Sequence, residues 1–294
     1  VYDAIRRPRG RRPWWTQLRR GVPRRTVAFF GLAYLFSWSV WLPMLTAPDS
    51  LQWLHYVGSL GPLMAAFIMR WHDGGRDGVV ELFSQMLRWR VAPQWILLAV
   101  GFPLALFVLG TAVSTLLHAP VDWSEFLGSK EFAHVGWVLI PIEIIFFGFG
   151  EETGWRGYAI PSLQTAGWTP YAATTMFAVG WAGWHLPLFF YPYGLQSLGL
   201  LLIPGWIMSL LFGAYLTTFL FNSARCSILV IAVFHGMVDI VSISRAATDI
   251  TLIVVNAGLI AAAVGVTIAT APQLTASAAA RRFRKPPRSS DHSS

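Results

Sequence analysis

Apolar residues in this chain come in blocks of roughly twenty, each long enough to cross a hydrocarbon core of about 30 Å. That spacing leaves few folds open. In lipid, backbone N–H and C=O groups have no water to bond, so a segment that crosses must satisfy its own backbone, which an α-helix does. Spans are predicted near 27–46, 53–70, 92–117, 135–152, 169–190, 198–221, 226–243 and 250–272. Several breaks between them carry Pro or Gly: Pro48, Asp73-Gly74-Gly75, Pro120, Gly167 to Pro170 and Pro192. Charge supply argues the same way. Only 12% of the 294 residues are charged, against about 25% in a soluble domain, too few to cover the surface of a soluble protein of this length. The expected fold is an all-α polytopic membrane protein with about eight transmembrane helices.

The basic residues orient those helices. With the N-terminus inside, the inside segments 1–26, 70–91, 153–168, 222–225 and 273–294 hold twenty of the twenty-two Lys and Arg residues, and the outside segments hold only Lys130 and Arg245. Such asymmetry is what the positive-inside rule demands, and an odd span count would put one basic end outside. Both termini are therefore expected in the cytoplasm. The chain divides into a basic tail at 1–26, a membrane domain at 27–272 and a second basic tail at 273–294. Because the basic clusters flank spans, they are expected to meet anionic lipid headgroups and not nucleic acid. Residues 71–91 read as a short amphipathic surface helix. Arg outnumbers Lys twenty to two, a bias that fits a GC-rich bacterial genome and hence a bacterial cytoplasmic membrane. The single Cys226 excludes a disulfide framework and any CxxC site. No sequence feature sets an oligomeric state.

Ionisable residues inside apolar helices are costly in lipid and mark function by default. Glu143, Glu151, Glu152, Arg156 and Asp239 fall within or beside the spans, with His185 and His235. Their bland reading is a set of helix–helix polar clamps, which weakens for seven residues around three or four helices. Glu152 and Arg156 are four apart and share a helix face, so that pair can neutralise itself. Glu151 is rotated by about 100° from its neighbour and has no intrahelical cation. His235 and Asp239 are again four apart, so Asp239 can accept from the ring and set its tautomer. Gly150, Gly154, Gly180, Gly183 and Gly236 beside these positions would let helices approach closely.

The segments GEETGWRGYAIPSLQ (150–164), WAGWHLPLF (181–189) and HGMVD (235–239) resemble the three motifs of the CPBP family. These are the CAAX prenyl protease type II and bacteriocin-processing (Abi) intramembrane proteases, with the patterns EExxxR, FxxxH and HxxxN or HxxxD. The match is at Glu151, Glu152 and Arg156, then at His185 with Trp181 in place of Phe, then at His235 and Asp239, within a motif core at 150–239. The resemblance implies an eight-span glutamic endopeptidase acting on membrane-associated proteins or peptides without a cofactor. Glu151 would activate water, His185 would orient it, and His235 with Asp239 would stabilise the oxyanion. Glu152 and Arg156 would brace the site, and Trp155, Trp181 and Trp184 are candidates for the cavity wall.

Rival readings stay open. The same histidines and carboxylates could hold Zn²⁺ with an open water position. The chain could instead be a non-catalytic scaffold or bacteriocin immunity protein that keeps the fold. A proton-coupled transporter would also bury Glu, His and Asp, but neither an internal repeat nor paired broken helices is visible.

Overall fold

Helices occupy each of the eight apolar stretches. The computed structural model describes residues 21–129, 136–198 and 203–270; most of the first basic tail, all of the second, and Lys130 lie outside them. Eight principal helical elements follow in order: α1 (Arg24–Met44), α2 (Gly61–Met86), α3 (Pro93–Leu116), α4 (139–165), α5 (Pro170–Trp184), α6 (Ile203–Ser223), α7 (Ile228–Ile243) and α8 (Asp249–Thr270). Among the described residues there is no strand, only an isolated bridge between Ser129 and Ser244.

Local chemistry explains the boundaries. Pro93 and Pro170 stand in the first turns of α3 and α5, where a missing N–H costs nothing. The Thr169 side chain caps α5 by accepting from Ala172 N–H, and Ser227 caps α7 by accepting from Val230 N–H. The run predicted as one span at 53–70 is instead a short helix, Leu54–Ser59, followed by α2, with Pro62 in the first turn of α2. Gly75 breaks α2 at φ 57° and ψ −142°, a conformation only glycine takes readily. The arm beyond it is the amphipathic segment read from the sequence. It buries Leu82 while Val80, Phe83 and Leu87 stay exposed.

Four described helices are long and apolar enough to cross a membrane: α1, α3, α6 and Asp249–Ala269 of α8. Their outer faces carry large apolar side chains, with Leu97 71% and Ile268 75% exposed, a surface suited to lipid and not to water. The helices bearing the motifs are different. α7 is apolar but has 16 residues, and α5 ends at Trp184 and continues as a 3₁₀ turn, Leu186–Phe190.

α4 departs most from a plain span. It passes without interruption through Leu139–Ile142, a π-helical stretch Glu143–Phe149, Gly150–Gly154, a second π-helical stretch Trp155–Ala159, and Ile160–Thr165. The helix therefore runs well beyond residue 152, where loss of hydropathy suggested an end, and Glu151 lies near its middle. Wide π turns cluster at functional sites, and here they flank the paired glutamates. α4 is gripped between α2 and α7 by close backbone approach. A Cβ on Gly154 would collide with Pro62 of α2, and one on Gly148 with the carbonyl of Ala232 of α7. α1 packs on α2, and α8 packs on both α3 and α6. The main core draws on all eight helices, and Phe29, Trp41, Trp155, Phe177 and Trp184 are among its large aromatic side chains, from α1, α4 and α5.

Candidate active site

The three motifs meet at α4. Glu151 and Glu152 follow each other on one helix and, being rotated by about 100°, serve different neighbours. Glu152 is fully buried and faces Arg156, whose Nη1 lies 2.9 Å from Oε1 and 2.8 Å from Oε2. Arg156 is equally buried. Its second terminal nitrogen donates to the Thr217 hydroxyl on α6, and its guanidinium lies 4.7 Å from the Phe177 ring centre and 5.5 Å from that of Trp181. A buried ion pair is costly unless its other polar atoms find partners; Thr217 takes one of the remaining guanidinium donors and two ring faces lie against the group, while Nε has no hydrogen-bond partner among the described residues.

Glu152 has a second partner that the sequence did not reveal. Its Oε1 is 2.7 Å from Nδ1 of His235 on α7, while Nε2 of the same ring is 3.4 Å from Asp239 Oδ2. The histidine is thus held between two carboxylates. The shorter contact is to Glu152, so Glu152, more than Asp239, fixes the ring. The cause is spatial: α7 lies against α4 and presents His235 to the glutamate from 83 residues away in sequence.

Glu151 is buried as well and has no cation of its own. Two indoles reach its Oε2 instead, Trp155 at 3.0 Å from one turn further along α4 and Trp181 at 2.8 Å from α5. Oε1 accepts no hydrogen bond among the described residues. Trp155 and Trp184, both expected to wall a cavity, are buried; Trp184 donates to Ser37 of α1 at 2.8 Å and ties α5 to α1.

His185 closes α5. Its Nδ1 is 2.8 Å from the carbonyl oxygen of Trp181. A carbonyl can only accept, so Nδ1 carries the proton in a neutral ring and Nε2 keeps a lone pair. The ring lies 5.8 Å from that of Trp181, which in turn lies 6.0 Å from that of His235. Trp181 is therefore the common neighbour of both histidines, Arg156 and Glu151. A shallow groove between α5 and α6, with no room for a water molecule, is lined by Pro170, Tyr171, Thr174, Tyr215 and Thr218, none of them a motif residue. Among the described residues no three His, Cys, Asp or Glu side chains converge as metal ligands would.

Sequence spacing revealed the Glu152–Arg156 pair and the two histidines. It missed Thr217 as partner to Arg156, Glu152 as partner to His235, and both indole donors to Glu151. The i, i+4 spacing of Glu151 and Trp155 carried a signal for one of these.

Residues 132–241 match the family model described as Type II CAAX prenyl endopeptidase Rce1-like, a protease family. The CPBP resemblance is borne out over that stretch, which contains all three motifs. No curated protein matches the chain. The family match and the apolar helices together mark an integral membrane protein.

Proposed function

We propose that the protein is an intramembrane endopeptidase that hydrolyses peptide bonds of membrane-associated proteins or peptides with a water activated by Glu151. One observation carries the reading: a buried carboxylate with one oxygen held by two donors and the other without one, on the helix where the three motifs meet. Hydrolysis needs a base for the water, a stabiliser for the oxyanion and a proton for the leaving amine. Glu151 takes the proton from water as the oxygen attacks the scissile carbon, and returns it to the amine as the C–N bond breaks. His185, with its Nε2 lone pair, accepts the second hydrogen of the water and aims it. His235, its Nδ1–H held by Glu152, offers its Nε2–H to the developing oxyanion, and Asp239, which when ionised can only accept, holds the ring in place. Arg156 balances the charge of Glu152 and keeps that carboxylate oriented.

The CAAX prenyl peptides named in the matched family's description are the first substrates to try. Both termini are proposed to lie in the cytoplasm, in a bacterial cytoplasmic membrane with anionic headgroups around the basic tails; reporter fusions after residues 24 and 285 should both read inside. For the activity, the test is a proteomic comparison of membranes expressing wild type or Glu151→Gln. Peptide ends present only with wild type are expected. Identical ends in both would contradict the proposal.

A further inference from the structure

We infer that Trp155 and Trp181 are positioning residues whose indole N–H groups together lock one oxygen of Glu151, so that the carboxylate offers only the other to water. The inference rests on the reading of Glu151 as the base. A carboxylate oxygen has two lone-pair sites, and Oε2 receives two donors, at 3.0 and 2.8 Å. The terminal torsion of a Glu side chain is broad and soft, so a single donor would let the carboxyl group swing. Two donors from two different helices remove that freedom. They also make the distance between α4 and α5 part of the aim of the base.

The direction of the Trp181 N–H is itself fixed by packing. Its ring stacks on Phe177 at 5.5 Å and 20° and meets the His235 ring edge-on. The Trp155 ring is held by Phe29, Phe30, Phe177 and Trp184. A packing role alone would not need an indole. Phenylalanine, which the FxxxH pattern has at position 181, fills much of the same space but has no donor. The departure from the pattern thus adds a hydrogen bond to the candidate base.

The test has two arms, on full-length protein in nanodiscs. In the first, ¹⁵N-indole-labelled protein is examined by NMR, with Trp155→Phe and Trp181→Phe each deleting, and so assigning, one indole signal. Glu151→Ala should shift both assigned signals, whereas the signal of Trp41, bonded to the His55 carbonyl at 3.0 Å, should stay in place. Unmoved Trp155 and Trp181 signals would overturn the inference, whatever the kinetics show.

The second arm measures cleavage of an internally quenched farnesylated CAAX peptide. Trp181→Phe and Trp155→Phe should each lower kcat by roughly 10–100-fold, the size of one hydrogen bond to a charged group, with KM unchanged. Trp41→Phe loses a buried indole bond too, and should lower the thermal midpoint but not kcat. Equal kcat for Trp181→Phe and wild type, or equal loss in Trp41→Phe, would leave the indoles a packing role and overturn the inference. Wild type that leaves the peptide intact, or Glu151→Gln that cleaves it at the wild-type rate, would sink the proposed reaction together with the positioning role built on it. The NMR arm would then still report whether the indole contacts exist.

Discussion

α3 and α8 pack against each other, α3 also on α7 and α8 also on α6, and both turn large apolar side chains outward, while α4, gripped between α2 and α7, is enclosed. The two regions follow different rules. α3 is a 24-residue run with no charged residue, interrupted only by Pro103. Its apolar side chains are largely interchangeable, because lipid asks only that the backbone be satisfied and the surface be apolar. α4 is made of five short pieces, two of them π-helical, and buries Glu143, Glu151, Glu152 and Arg156. Each of the paired glutamates and the arginine has named partners, and each loses those partners if a neighbour moves. Tolerance of substitution should therefore differ sharply between the two regions.

The largest effect is expected at Glu152. Glu152→Gln removes the charge opposite Arg156 and weakens the hold on His235 at once. Breaking a buried pair by neutralising one partner costs about 3–5 kcal/mol, so both thermal midpoint and activity should fall. A variant as stable as wild type by thermal shift would deny α4 its special status. Next comes Asp239. Asp239→Ala removes the acceptor that holds the Nε2 side of the His235 ring, so the ring donor loses its aim and the cleavage rate should fall by about 10²–10³-fold, as when an oxyanion donor is lost. Asp239→Asn should stay active, since its oxygen still accepts from the ring and its amide adds a donor. Loss of activity in both, with zinc bound to wild type and stripped from Asp239→Asn, would establish the metal reading instead. The smallest effect belongs to the lipid-facing region. Leu97→Ala on α3 should change stability by less than about 0.5 kcal/mol, as for surface positions without special contacts, and leave activity intact. A large loss there would erase the contrast between the regions.

What could be read from the sequence follows the same division. Apolar runs placed α3 to within one residue at each end, because hydropathy is what defines such a helix. The motif spacings identified Glu151, Glu152, Arg156, His185 and His235 as chemically special; the structure bonds His235 to Glu152 on α4, while His185 reaches that helix only through its neighbour Trp181. The end of α4 was misread at 152 because polar side chains lower hydropathy. The helix continues because Glu152 and Arg156 satisfy each other within the bundle. Helical periodicity tells which residues of one helix share a face, but not which neighbour that face meets. For that reason Glu152 could be paired with Arg156, four residues away, but not with His235, and Glu151 could not be paired with Trp181. In the sequence Trp181 is only a Trp in place of Phe, because it takes the approach of α5 to α4 to bring its N–H to Glu151.

The central claim is that Glu151 activates the attacking water, and it is tested most directly by one comparison. Wild type and Glu151→Gln are purified into nanodiscs, and cleavage of the farnesylated CAAX peptide is measured beside the thermal midpoint and bound metal. The substitution keeps shape and removes the base, so the rate should fall by about 10²–10⁴-fold at an unchanged midpoint, with no metal in either protein. Near wild-type cleavage by folded Glu151→Gln would contradict the account.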